Sequence, residues 1–423
     1  MRVLIVGGGA REHAITWGLS RSPLVDEIFC APGNPGMAAM AQTFDVDPSD
    51  VDGLERLVAS TDPGLVVVGP EIPLVAGLSD RLAGQVDVFG PNAKGAMIEG
   101  SKSYAKGIMR TAGIPTADAR SFTDPSAAIR YVEQLAGPVV VKADGLAAGK
   151  GVTVCEDAEQ ARAAIREAMS ERRFGDSGAS VLIEERMTGK ELSILAFSDG
   201  RSVCVMPPAQ DFKRAYDGDQ GPNTGGMGSY APAATSDPQL IDHVTDTVLL
   251  PALSAIAKDA GPYVGVLYAG LMLTPDGVKV VEFNCRFGDP ETQALLPLLD
   301  SDLAEVMLAT VKGELGDVKL RWSDQSCVCV VAASAGYPDG VPEGSPINGI
   351  EAAETTAGLP VFHAGTTTRD SVLATAGGRV LSVVGMASPL AQARERAYRA
   401  LSEISFEGMW FRGDIAESAS QTI

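Results

Sequence analysis

Glu282, Asn284 and Arg286 recur at every second position after the run Val278-Lys279-Val280-Val281. Alternate side chains of an extended strand share a face. A carboxylate, a carboxamide oxygen and a guanidinium therefore stand in a row, while Phe283, Cys285 and Phe287 turn towards a core. Hard oxygen donors at this spacing suit Mg²⁺ carrying nucleotide phosphates. The arginine suits a carboxylate or a phosphoryl oxygen. An exposed polar edge would also produce E-x-N, but Arg286 and the turn Gly288-Asp289-Pro290-Glu291 behind it favour a site.

Other groups fit the same chemistry. Lys142 ends the apolar strand 138–142, where the alternation asks for no charge. The segment from Asp144 to Gly151 is a glycine-rich loop between two strands. Gly149-Lys150 looks like the end of a phosphate loop, but Asp144 stands where that motif's leading glycine belongs and Gly151 where its Ser or Thr belongs. A glycine-rich hairpin can still fold over phosphates with backbone N–H groups and one lysine. Glu184 and Glu185 close the strand 180–183, and Glu191 follows seven residues after Glu184. Such a strand end can offer backbone hydrogen bonds to adenine, with Glu191 accepting from ribose hydroxyls. Residues 206 to 235 show almost no periodicity and gather Asp211, Lys213, Arg214, Asn223, Thr224, Gly225 and Gly226. A structureless stretch this long is uncommon in a compact domain unless it is functional.

The elements that position these groups fall into three regions. In residues 1–100 strands alternate with helical patterns: 2–6, 27–30, 65–68 and 86–89 as strands, 11–21 and 51–59 as helices. This predicts a doubly wound parallel sheet. Each strand runs into a Gly, Pro or Asn loop (7–9, 31–34, 69–71, 90–92), and ligands bind at such carboxyl ends. A helix is predicted from Gly100-Ser101-Lys102 to about Ala112. A second α/β unit then carries the glycine-rich loop, a helix over 237–259 and a strand over 265–273. From about Trp322 the pattern is a small α/β domain, with strands at 327–333, 361–364, 372–375 and 379–384, a hairpin turn at Gly377-Gly378, and a last helix over 389–404. The expected domains are 1–100, 101–320 with a lid at about 115–192, and 321–423.

Composition excludes several classes. The formal net charge of −20 argues against nucleic acid as a partner. The six cysteines are scattered without C-x-x-C, and the three histidines give no metal or triad pattern, so buried thiols are expected. No apolar run approaches the roughly 18 residues of a membrane span, and Arg2 to Val6 is too short for a signal peptide. A cytoplasmic protein that binds no membrane is expected. A nicotinamide site is disfavoured, because Glu12 replaces the third small residue of the fingerprint and no acid ends the second strand.

With these residues in view, the chain resembles the ATP-grasp ligases, and among them the glycinamide ribonucleotide synthetase family. The matching pieces are Gly8-Gly9-Ala10-Arg11-Glu12-His13-Ala14, Val68-Gly69-Pro70-Glu71, Lys142 to Gly151, Gly221 to Gly228 and Glu282 to Glu291. Phe362-His363-Ala364-Gly365-Thr366 and Gly377-Gly378-Arg379-Val380 extend the match across nearly the whole chain. The resemblance implies a pre-ATP-grasp parallel-sheet domain, a central ATP-grasp α+β domain and a small α/β C-terminal domain. It implies a purine-biosynthetic ligase joining glycine to 5-phosphoribosylamine at the expense of ATP, through glycyl phosphate. Glu282 and Asn284 would hold Mg²⁺ or Mn²⁺. Lys102, Lys142, Gly145, Gly149, Lys150 and Gly151 would hold phosphates, and Glu184, Glu185 and Glu191 the nucleoside. Arg286 would face the glycine carboxylate, Arg286 and Lys142 being the catalytic pair. Gly8, Gly9, Glu71, Asp211, Lys213, Asn223, Thr224, Gly225, Gly226 and Asp289 would contact the substrates. A monomer is expected. The chain departs from the family at Phe212, where many relatives carry His, and at Tyr216 and Gln220. The strand 265–273 holds no second acidic ligand for a metal. Rival readings are another ATP-grasp ligase or carboxylase, a nicotinamide-dependent oxidoreductase, and a nucleotide-binding protein without turnover.

Overall fold

The computed structural model describes residues 1–421 other than Ala136, Ala148 and Ser236. β1 (Arg2–Gly7) is apolar from Val3 to Val6 because helices cover both faces of a parallel sheet; Val3, Leu4, Ile5 and Val6 are fully buried. It leads into α1 (Ala10–Ser20), β2 (Glu27–Pro32), β3 (Gln42–Thr43), α2 (Val51–Thr61), β4 (Leu65–Val68) and β5 (Asp87–Phe89). The five strands are parallel in the order β3-β2-β1-β4-β5, the doubly wound arrangement expected. The two-residue β3 carried no readable pattern.

The helix Lys102–Ala112 opens on Ser101, whose side chain accepts the Tyr104 N–H, and ends at Gly113 in the left-handed region, φ +67°. Next, β6 (Ala119–Phe122), β7 (Val139–Ala143), β8 (Val152–Cys155) and β9 (Val181–Glu185) form an antiparallel sheet in the order β6-β9-β7-β8. This unit has its own core of Phe122, Val132, Val139, Val141, Ile165 and Ile183. β7 and β8 make the hairpin whose tip is the glycine-rich loop; Ala148 of that loop lies outside the described residues.

β10 (Lys190–Asp199) and β11 (Val203–Val205) precede four short strands, β12 (Gln210–Asp211), β13 (Arg214–Tyr216), β14 (Gln220–Asn223) and β15 (Gly228–Ala231). The stretch expected to be structureless is therefore built of strands, each too short to show a period. β16 (Val264–Thr274) and β17 (Gly277–Asn284) complete an antiparallel sheet in the order β11-β10-β16-β17. The predicted helix 237–259 runs from Pro238 to Ala260, α-helical over Pro238–Val244 and Leu250–Ala260 and more widely wound over Thr245–Leu249. An 18-residue window of this 23-residue stretch has a mean hydropathy of 1.3, enough by length and composition to cross a membrane. Here Val244, Val248, Leu249, Ala252 and Ile256 pack into the core shared with β16.

The C-terminal strands are β18 (Ser326–Ala333), β19 (Phe362–His363), β20 (Thr366–Arg369), β21 (Val372–Thr375) and β22 (Arg379–Ala387). A sheet in the order β12-β15-β18-β22-β19 joins β18, β22 and β19 to the 210–231 region, while β20 and β21 form a separate ribbon. Gly377-Gly378 is not the turn of a hairpin: β21 pairs with β20, and their turn is Asp370-Ser371, both at positive φ. The two glycines permit close approach instead. A Cβ on Gly378 would lie 2.1 Å from the Tyr337 ring, and one on Gly365 would lie 2.6 Å from the Gly377 Cα.

Candidate active site

A cleft of about 970 Å³ lies where the three domains face each other. The first turn of α1 contributes Arg11 and the start of the helix after β4 contributes Glu71; the β7–β8 hairpin gives Lys142, Gly145, Gly149 and Gly151, and β17 gives Glu282 and Asn284. Lys102, Glu184, Glu185, Glu191, Asp211, Lys213, Asn223, Thr224, Gly225, Arg286 and Asp289 also line it. Gly8, Gly9, Lys150 and Gly226 are the predicted site residues that do not.

β17 alternates as its sequence requires. Phe283, Cys285 and Phe287 are buried, while Glu282, Asn284 and Arg286 are partly exposed to the cleft. Gly270 of β16 lies opposite Glu282, beside a register irregularity. A Cβ there would already lie 3.4 Å from the Glu282 Cγ, so a small residue leaves room for the carboxylate. Burial works to raise the Glu282 pKa, but Lys213, Lys142, Lys102 and Arg286 together pull it below the usual range. Glu282 is thus an ionised hard donor beside the Asn284 carboxamide. This donor set fits a divalent cation that takes its remaining ligands from water and phosphate.

The phosphate-binding candidates are tied together. The Lys142 Nζ lies 2.8 Å from the Glu184 Oε2 and donates to the Val281 carbonyl at 3.1 Å. Lys106, on the helix Lys102–Ala112, meets the Glu184 Oε1 at 3.1 Å. The Glu184 side chain, 3% exposed, is therefore held between two lysines, where the sequence reading placed it with the nucleoside. Its backbone is paired on both sides, to Val140 and Ala119. The Glu185 carboxylate lies 3.3 Å from Lys279. Lys102 donates to the Gly145 carbonyl at 3.0 Å, and burial lowers its pKa against the pull of Glu282. Lys150 donates to the Pro338 carbonyl at 2.7 Å, which carries its ammonium away from the cleft lining to the C-terminal domain.

Lys213 sits among carboxylates: Glu191 at 3.0 Å, Asp211 at 3.8 Å and Glu282 at 4.0 Å. Burial opposes its charge, but Asp211 and Glu191 raise its pKa well above the ordinary value. Asp211 is pushed up to about 7, first by burial and then by Glu291, Glu191 and Glu282, with Lys213 opposing. Glu191 faces Lys213, so ribose hydroxyls would share its carboxylate with that lysine.

Arg286 donates through Nε to Glu71 at 2.7 Å and through Nη2 to Glu99 at 2.6 Å. Glu99 also accepts the Cys285 N–H at 2.9 Å, which fixes the strand end. Burial works against ionisation of Glu71, but Arg286 and Arg11 bring its pKa down to about 2. Asp289 pairs with the Arg379 Nη2 at 2.9 Å, and Arg379 Nη1 donates to the Gly225 and Asp289 carbonyls. Sequence reasoning did not assign Glu99, Arg11, Lys106 or Arg379 to the site. Arg379 follows the glycine pair already noted in the sequence; Glu99 and Lys106 lie on ordinary helical faces with no local signal.

The turn Gly7 to Gly9 is filled from within. Glu12 accepts the Gly9 N–H at 2.7 Å and the Arg11 Nε–H at 2.6 Å. A Cβ on Gly8 would lie 2.5 Å from the Gly33 carbonyl oxygen, so Gly8 serves the close approach of two loops. The side chain that breaks the dinucleotide fingerprint thus caps the helix where a phosphate would otherwise sit.

Family models match along the chain: phosphoribosylglycinamide synthetase N domain over residues 1–99, ATP-grasp (A) domain over 100–292 and C domain over 327–418. A phosphoribosylamine–glycine ligase of Rhodopirellula baltica is 47% identical, covering 99% of this chain and 98% of the relative. The crystal structure of phosphoribosylamine–glycine ligase from Thermotoga maritima matches with a TM-score of 0.83 at 32% identity, covering 98% of this chain and all of that one. A biotin carboxylase from Campylobacter jejuni, 14% identical with a TM-score of 0.72 over 96% of this chain and 92% of that one, shares the fold.

Proposed function

Because the chain belongs to the phosphoribosylglycinamide synthetase family, we propose that its cleft ligates glycine to 5-phospho-D-ribosylamine with ATP. The products are glycinamide ribonucleotide, ADP and phosphate, in de novo purine synthesis. The observation that carries this reading is the cleft face of β17, where ionised Glu282 and Asn284 stand between the lysines of the lid side and Arg286.

A carboxylate is a poor acylating agent until its oxygen carries a good leaving group. Attack of the glycine carboxylate on the γ-phosphorus forms a C–O–P linkage, breaks the bond to the β-phosphate oxygen and releases ADP. Attack of the sugar amine on the acyl carbon then forms the amide, expels phosphate and gives up one proton. Phosphoryl transfer needs alignment and charge neutralisation more than a protein nucleophile. Lys142 and Lys102 supply positive charge along the phosphates. Glu282 and Asn284 would hold the divalent ion, Mg²⁺ or Mn²⁺, which neutralises phosphate oxygens. Arg286, fixed by Glu71, Glu99 and the Phe287 carbonyl, keeps N–H groups beyond those three bonds for the glycine carboxylate or its acyl phosphate. Lys213, Asn223 and Thr224 lie on the loop side suited to the sugar phosphate or the amino acid.

The enzyme acts as a monomer in the cytoplasm on this reading. The test is ADP formation with each substrate omitted in turn: turnover should need both glycine and phosphoribosylamine. ADP release with bicarbonate in place of glycine would overturn it. Label from [¹⁸O]glycine carboxylate should appear in released phosphate, and its absence there would exclude the acyl phosphate.

A further inference from the structure

The hairpin of β13 and β14 carries Lys213 and Asn223 at its inner end, and an isolated two-stranded ribbon has little stability in water. Its hold comes from residues 410–414. The Arg412 guanidinium, 1% exposed, donates through Nη1 to the Arg214 carbonyl at 3.0 Å and to the Asp219 Oδ1 at 2.8 Å. Its Nε and Nη2 grip both oxygens of Asp414, each at 2.7 Å, and its plane lies 5.0 Å from the Phe212 ring. Asp414 also accepts the Gly218 N–H, and Asp217 accepts the Gly413 N–H, each at 2.8 Å. Tyr216 packs on Trp410 at 5.8 Å.

The base of this grip is rigid. Trp410 exchanges backbone hydrogen bonds with Ala333 at the end of β18, and the Tyr398 hydroxyl donates to the Arg412 carbonyl at 2.7 Å. At the inner end, Thr224 donates its N–H and hydroxyl to the Lys213 carbonyl, both at 2.8 Å, while Asn223 donates to Val152 of the lid hairpin at 3.3 Å. The chain from the C-terminal sheet through Arg412 to Lys213 and Asn223 is continuous.

We propose that Arg412 is a positioning residue for the ligation: through the β13–β14 hairpin it sets where Lys213 and Asn223 stand, and so governs use of glycine and phosphoribosylamine more than that of ATP, whose ribose side Lys213 meets only through Glu191. This rests on the reading that the 211–228 loop meets those two substrates. A lysine cannot reproduce the planar fork that serves Asp414, Asp219 and the Arg214 carbonyl together. In the full-length enzyme, Arg412→Lys should lower kcat/KM for glycine and phosphoribosylamine about 10- to 100-fold while leaving the KM for ATP within about twofold. Hydrogen exchange should quicken in residues 213–224 and stay unchanged in β18 and β22. Asp414→Asn, which weakens the same grip without removing the arginine, should shift both readouts in the same direction and carries the test if Arg412→Lys does not fold. Unchanged exchange in 213–224, or equal losses for all three substrates, would overturn the proposal. A wild-type enzyme without glycine-dependent ADP release would instead overturn the functional reading, with the exchange measurement still deciding the grip.

Discussion

At the scale of single residues, the row on β17 depends on charge balance as much as on spacing. Glu282 stays ionised because the cations around it outweigh its burial. Glu282→Ala should therefore lose most of the ADP-forming activity while its circular dichroism and unfolding midpoint stay near wild type, since a partly exposed side chain is being shortened. Near-normal turnover in that variant would remove Glu282 from the metal site. The row itself was legible in the sequence, because a strand's period of two fixes which residues share a face. The partners of Arg286 were not. Glu71 and Glu99 lie 215 and 187 residues away along the chain, and nothing local in a helix marks one glutamate among several as the one that meets an arginine. The partners of Glu184 were hidden for the same reason: the end of a strand is visible in the sequence, but the two lysines that take its carboxylate come from a helix and a neighbouring strand.

At the scale of elements, the glycine-rich hairpin shows what local sequence can and cannot fix. Its strands and tip were legible from apolar runs around glycines. Gly149 sits at φ +75°, and a Cβ there would lie 3.2 Å from the Thr224 carbonyl oxygen. Gly149→Val adds left-handed strain of ~1–2 kcal/mol, so the KM for ATP should rise about tenfold with little change in kcat. An unaltered KM would show that the tip does not bear on nucleotide binding. The 206–235 stretch taught the opposite lesson. β12 and β15 take their partners from each other and from β18, and strands of two to four residues have no period to read.

At the scale of the whole molecule, contacts between domains carry both stability and the site. Arg379 ties the C-terminal domain to Asp289 and to the 225–226 backbone. Arg379→Met would take from Asp289 its paired counter-charge and leave only the more distant Arg11 and Arg286, at a cost of ~3 kcal/mol. Urea unfolding should show that loss, together with weakened turnover; an unchanged midpoint would mean that the two domains do not lean on this pair. His13 and His363 form another such contact, the His363 N–H donating to the His13 Nδ1 at 2.8 Å. Burial first, and for His13 its neighbour His363 as well, lowers their pKa values to about 3 and about 4. The unfolded chain binds these protons below about pH 6.5 and the folded one does not. Their contribution is thus present above pH 6.5 and is lost as pH falls towards 4, at about 1.4 kcal/mol per pH unit for each histidine. His13→Gln should flatten the stability-versus-pH slope between pH 6 and 4, and an equal slope in both proteins would refute this origin.

The sequence by itself determined the parallel N-terminal sheet, the polar face of β17, the glycine-rich hairpin and the family, because periodicity and motif spacing are properties of a few neighbouring residues. Only the tertiary structure decided that Glu184 serves Lys142 and Lys106, that Glu99 and Glu71 hold Arg286, and that Glu12 fills the first glycine turn. It also decided that the C-terminal segment grips the β13–β14 hairpin through Arg412. Each of these is a charge or polar group whose partner is chosen by packing. Burying an ionised group without a partner is costly, so the fold brings one to it, and for most of these groups it comes from far along the chain.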